Sequence, residues 1–154
     1  MQSVIKTFNN LTINELHDIY QLRVAVFVVE QTCCYHEVDG LDTHPETRHL
    51  MYWDDTTLAG YTRILAPDTS YPGYSSIGRI ANTMNHRGMG LGQQMVQRSV
   101  EACLQYWPDK SIKIGAQAHL QEFYGQFQFK TVTDEYLDDG IPHVGMIRET
   151  RASA

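Results

Sequence analysis

The chain has 154 residues, 42% of them hydrophobic, enough for one compact domain with its own core. Its formal net charge of −6 excludes a broad electrostatic grip on nucleic acid and favours a cationic acceptor such as an amine. It reads as one domain over residues 1–154, without internal repeat, low-complexity tract or linker.

Residues 4–8 form a short first strand. Thr12-Ile13-Asn14-Glu15 has the capping-box pattern and starts a helix. Leu16, Ile19, Tyr20, Val26 and Phe27 share one face of it, and Arg23 falls on the same apolar stripe. The run from Val24 to Val29 is the longest uninterrupted apolar stretch, too short to cross a bilayer. The N-terminus carries no basic segment followed by an apolar signal core, so a cytoplasmic location without membrane attachment is expected. Residues 30–46 lack periodicity and contain Asp39-Gly40, a long loop of the kind that carries function. Cys33, Cys34 and Cys103 make an odd count with no disulfide framework. Cys33, Cys34, His36, His44 and His49 match none of the usual zinc spacings, and no metal is expected.

Residues 48–53 and 58–65 alternate as two strands of a meander, and 75–83 form a further strand. A long helix spans 91–107, its apolar face including Leu91, Met95, Ala102, Cys103 and Tyr106, and Pro108 ends it. A strand at 112–116, a short helix at 119–127 and strands at 131–137 and 144–148 close the chain, with Asp139-Gly140 in the last turn. The order is that of an α/β domain, helices flanking one central sheet.

The run Arg87-Gly88-Met89-Gly90-Leu91-Gly92 opens the long helix. Glycines admit close approach of a ligand to the backbone, and the first N–H groups of a helix lack partners at its electropositive end. Together they suit a phosphate or pyrophosphate. The G-x-G-x-G spacing after the fourth strand is not that of a dinucleotide fold, and no Walker lysine is present.

Arg87-x-x-Gly90-x-Gly92 after a strand, with the segment Ala116-Gln117-Ala118-His119-Leu120-Gln121-Glu122-Phe123-Tyr124 after the next, resembles the GNAT acetyltransferase superfamily. The segments Arg23-Val24-Ala25-Val26-Phe27-Val28-Val29-Glu30-Gln31, Asp39-Gly40-Leu41-Asp42, Arg48-His49-Leu50 and Gly140-Ile141-Pro142-His143 resemble its ElaA branch. The resemblance implies a mixed sheet of six to seven strands, splayed between the fourth and fifth. It implies acetyl-CoA as cofactor, held by Arg87, the backbone of Gly88, Met89, Gly90, Leu91 and Gly92, the strand around Ile80 and Ala81, Gln93 and Gln117. Tyr124 matches the tyrosine assigned as general acid to the CoA sulfur. Homodimerisation is common in the superfamily, and nothing in this sequence marks an interface.

Many GNAT enzymes carry an acidic base on the strand before the phosphate loop. Here that strand reads Ile77-Gly78-Arg79-Ile80-Ala81, without a carboxylate. Glu30, His36, Asp39, His49, His119 and His143 remain as candidates, the histidines being able to accept a proton near neutrality. On the substrate side the expected residues are Arg23, Glu30, Asp39, His49 and His119. Arg23 reads either as holding a substrate carboxylate or as pairing with a carboxylate at the core edge. Glu30, Asp39 and Asp42 read either as lining an amine pocket or as capping turns. Gln128 stands between Phe127 and Phe129 where the superfamily usually has glycine.

The expected activity is acetyl transfer to a small-molecule or peptide amine by direct attack on the thioester. Two rivals stand beside it. One is an acyl-homoserine lactone synthase, on a faint pattern of Arg23, Phe27, Asp39, Asp42 and Arg63; the other is a non-catalytic acyl-CoA-binding module.

Overall fold

The computed structural model describes residues 1–150. Strand β1 (Gln2–Thr7) leads through a short 3-10 turn to α1 (Ile13–Arg23), then β2 (Arg48–Asp54), β3 (Thr57–Leu65) and β4 (Ser76–Asn82). Helix α2 (Leu91–Tyr106), β5 (Ile112–Gln117), α3 (Gln121–Gly125), β6 (Lys130–Thr131), β7 (Tyr136–Asp138) and β8 (Ile141–Arg148) follow. Strands β1-β2-β3-β4 form one antiparallel sheet, and β5-β8-β6, with β7 beside β8, form a second. A single parallel bridge, Ser75 to Ile112, joins them. Beyond it β4 and β5 carry no ladder, which is the expected splay between the fourth and fifth strands.

Thr12 caps α1 as expected: its hydroxyl accepts from the Glu15 amide, and the Glu15 carboxylate accepts from the Thr12 amide. The helix does not run on regularly to Phe27. After Arg23 it widens into a π-helical segment, Val24–Glu30, a winding frequent at functional sites. The extra residue per turn keeps Val26 in the core and brings Phe27 and Glu30 to the splay.

The core lies on both faces of the first sheet. Ile19, Leu22 and Val26 pack against Met51, Leu58 and Tyr61 on one side. On the other, Leu91, Met95, Val96 and Val100 of α2 pack against Leu50, Tyr52, Ala59 and Ile77 and reach Ile112, Ile114 and Met146 of the second sheet. Gly60 admits that approach: a Cβ there would stand 2.6 Å from the Met95 sulfur.

The strand expected over 131–137 is two short pieces. Between them Thr133 turns its hydroxyl to accept the Gly145 amide at 2.7 Å, so a side chain replaces a rung of the ladder. Strand β8 begins at Ile141, earlier than expected. Asp139 and Gly140 both take positive φ, 49° and 74°, which makes a tight turn between β7 and β8 and brings Pro142 opposite Leu137. The split raises the strand count among the described residues to eight. Gln128 adopts φ +71° just past α3, a left-handed conformation that costs a non-glycine residue about 1 kcal/mol.

Candidate active site

The diverging strands open a cleft of about 650 Å³. Its walls are β4, the second half of β5, the π-helical segment, the loop after it and the β7–β8 hairpin. Arg79 takes φ +51° inside β4, where the pairing with β3 slips between Tyr61 and Arg63. This bulge turns the strand edge towards the cleft at Ile80 and Ala81.

At one end of the cleft Arg87 leads into the glycine run. Gly90 is the N-cap of α2, φ +76°, with no side chain capping the helix. Gly88 also has positive φ, and open space surrounds the Cβ position of both. Sixteen residues of helix thus begin with no side chain capping their first N–H groups. This end fits an anion. Leu91 turns its side chain into the core, so only its backbone is offered, while Met89 and Gln93 are exposed. Arg87 is engaged by Glu30 through two hydrogen bonds of 2.8 and 2.9 Å across the cleft mouth. The guanidinium holds the Glu30 carboxyl below its ordinary range, and Glu30 raises Arg87 in return.

Tyr124 and His119 line the opposite wall, with Gln117 beside them. The Tyr124 ring packs edge-on against Phe123 and Phe129. Burial pushes its phenol up to about 12. Its hydroxyl has no hydrogen-bond partner among the described residues. His119 is exposed on a 3-10 turn and caps nothing. Gln117 donates to the Gln31 side chain at 3.4 Å.

Three of the residues expected on the substrate side lie outside the cleft. Arg23 is fully buried beneath it, bonded to Glu37 through Nε, to Asp42 through Nη1 at 2.7 Å and to the Glu37 carbonyl through Nη2. Asp39 accepts from Arg63 at 2.7 Å and pairs with Arg79 at 3.4 Å. Asp42, also fully buried, accepts from Arg63 as well as Arg23. Three arginines and three carboxylates thus neutralise one another, which answers the two readings of Arg23 in favour of core pairing. His49 is buried with both ring nitrogens engaged, one by the Tyr61 hydroxyl at 2.6 Å and the other by the Asp42 carbonyl. Its substrate role is corrected for that reason: neither nitrogen is free and neither faces the cleft.

Sequence reasoning passed over Tyr35, Tyr71, Arg79, Tyr136 and Asp138, all of which line the cleft. The Asp138-Asp139-Gly140 turn was their one local signal. The tyrosines reach the cleft only through tertiary packing, as where Arg79 lies over the Tyr35 ring at 4.9 Å. Of the thiols, Cys33 lines the cleft with its ionisation disfavoured first by burial, Cys34 is exposed outside it, and Cys103 sits in the core on the buried face of α2.

Residues 15–150 match the acetyltransferase (GNAT) domain family. The chain is 45% identical over 141 residues to protein ElaA of Escherichia coli, covering 92% of each. It superposes with a TM-score of 0.91 on the crystal structure of an acyl-CoA N-acyltransferase from Pseudomonas aeruginosa, 45% identical, covering 96% of this chain and 99% of that one. A CoA-dependent acyl-homoserine lactone synthase, BjaI, shares the fold at a TM-score of 0.77 and 17% identity, covering 96% of this chain and 82% of that one. Among the described residues no helix is long and apolar enough to cross a membrane.

Proposed function

The chain belongs to the GNAT acetyltransferase family and is an acyltransferase, and from that premise we propose that it moves an acetyl group from acetyl-CoA to the amine of a small molecule or peptide in the cytoplasm. The observation that carries this reading is the cleft between β4 and β5, with an uncapped, glycine-lined helix end at one side and Tyr124 on the other. The backbone of Gly88 to Gly92, with Arg87 and Gln93, holds the pyrophosphate. The open β4 edge around Ile80 and Ala81 runs beside the pantetheine, with Gln117 across the gap. Backbone donors on that edge stabilise the oxyanion that forms when the amine attacks.

Attack is direct. The cleft's one thiol, Cys33, is buried and resists ionisation, and a thiol is a poor nucleophile unless ionised. The Arg23, Asp39, Asp42 and Arg63 pattern that hinted at a lactone synthase is accounted for by the buried ion network, which holds the loop in place.

Calorimetry with acetyl-CoA, followed by thiol release against an amine panel, tests the reading. Binding with turnover is expected. Binding without turnover on any amine leaves the non-catalytic module, and absence of binding removes the assignment of the glycine run.

Because Glu30 occupies Arg87, the pyrophosphate has to compete with a carboxylate. An exposed ion pair is worth about 0.2–1 kcal/mol, so Glu30→Gln is expected to tighten acetyl-CoA binding by roughly 1.5- to 5-fold. The gain shrinks at high salt. Weaker binding in the variant would mean that Glu30 helps to hold the donor.

A further inference from the structure

Resting on the transferase reading above, we propose that His143 is the general base that takes the proton from the attacking amine. His143 lies in β8, opposite Gln117 of β5 and Tyr136 of β7, and its ring lines the cleft that Tyr124 also lines. Its Nδ1 is 2.7 Å from the Ile141 carbonyl oxygen. A carbonyl can only accept, so Nδ1 carries the proton of the neutral ring and the lone pair sits on Nε2. No hydrogen bond engages Nε2 among the described residues. The Tyr136 ring stacks on the imidazole at 6.0 Å and 27°, holding its plane. One nitrogen anchored to backbone and the other left as acceptor is how a base is oriented in an acyl-transfer site.

The other candidates are engaged or misplaced. Glu30 is held by Arg87, Asp39 by Arg63 and Arg79, and His49 is enclosed with both nitrogens bonded. His44 accepts the Glu46 amide through Nδ1, and neither it nor His36 lines the cleft. His119 lines the cleft without any hydrogen bond to fix its ring. The titratable neighbours that share the cleft with His143 do not replace it. Tyr71 and Tyr136 are phenols raised above their ordinary range, chiefly by burial, and the Cys33 thiol is raised for the same reason. Asp138 and Asp139 bring carboxylates, which are weak bases beside an imidazole.

The step balances without a further reactant. The amine nitrogen forms a bond to the thioester carbon and its N–H pair moves onto nitrogen as the proton passes to Nε2. The C–S bond then breaks and its electron pair leaves on sulfur. The products are the amide, a thiolate and an imidazolium, which returns its proton to solvent.

Asparagine at 143 keeps a donor near the Nδ1 position and removes the Nε2 base. His143→Asn is expected to bind acetyl-CoA with unchanged affinity by calorimetry, to lose about 10²-fold or more in kcat, and to lose the acidic limb of the kcat/KM profile against pH. His119→Asn is expected to keep the acidic limb. Nitrogen-15 NMR of the wild-type ring at alkaline pH, a readout independent of turnover, is expected to find the proton on Nδ1. Retained rate and acidic limb in His143→Asn, or a neutral ring protonated on Nε2, overturns the assignment and leaves the transferase reading standing. A wild-type protein that binds acetyl-CoA yet acetylates no amine overturns both.

Discussion

Arg23→Ala is expected to cost about 3–5 kcal/mol, the range for removing one partner of a buried ion pair. Single domains of this size have about 5–15 kcal/mol in total, so the variant should unfold at much lower urea and populate unfolded chain near body temperature. The reason is what the guanidinium leaves behind. Glu37 and Asp42 are as enclosed as Arg23 itself, and one oxygen of each already lacks a hydrogen-bond partner. Without Arg23 three carboxylates, Glu37, Asp39 and Asp42, share the two remaining cations, Arg63 and Arg79. Lysine cannot substitute, since a single ammonium does not reach the Glu37 carboxylate, the Glu37 carbonyl and Asp42 at once. A loss under about 1 kcal/mol in equilibrium urea unfolding would refute this account of the network.

The same network sets a pH dependence. Burial alone would raise the Asp39 carboxyl, but the hydrogen bond and charge of Arg63 outweigh it, with Arg79 adding to them, and the group titrates below its ordinary value. A depressed carboxylate contributes stability that is fully present above its unfolded pKa and is lost as pH falls through the lower folded one. Acid therefore loosens the loop that floors the cleft, whereas mild alkali leaves this contribution intact.

The network also marks where local pattern stopped being informative. The Thr12 cap, the hairpin around Asp54, the long helix ending before Pro108 and the Asp139-Gly140 turn rest on neighbours a few residues apart, and all were legible. An arginine on an apolar stripe was legible as an anomaly. Its partners were not, because they lie 14 and 19 residues away in a loop without periodicity. The π-helical winding after Arg23 was not legible either, because the apolar run Val24–Val29 carries no local mark that separates it from a regular helix. Between β6 and β7 the side chain of Thr133 does backbone work at Gly145, which no alternation of apolar residues encodes. The left-handed Arg79 is paired with Glu37 and Asp39, so the bulge that shapes the cleft depends on the same tertiary contacts.

Tyr124→Phe is expected to lower kcat by about 10²-fold, the effect of deleting one donor aimed at developing negative charge, while acetyl-CoA affinity and folding stability stay nearly unchanged. The hydroxyl makes no hydrogen bond among the described residues, so its loss orphans nothing in the free protein, and the ring keeps its contacts with Phe123 and Phe129. The phenol's pKa of about 12 narrows what that hydroxyl does. An alkyl thiol in water ionises at about 8.5, well below such a phenol, so handing a full proton from it to the leaving thiolate runs uphill. On the proposed reading Tyr124 is expected to act by donating a hydrogen bond as negative charge gathers on sulfur, with the thiolate protonated after it leaves. Two results follow for kinetics. Tyr124 is expected to add no alkaline limb to the kcat profile in the mildly alkaline range, and acceptors that make bond formation rather than C–S cleavage rate-limiting are expected to lose less in the phenylalanine variant. An alkaline limb near pH 9 that disappears in Tyr124→Phe would show instead a phenol of ordinary acidity giving up its proton, and with it a site wetter than the packing around this ring describes.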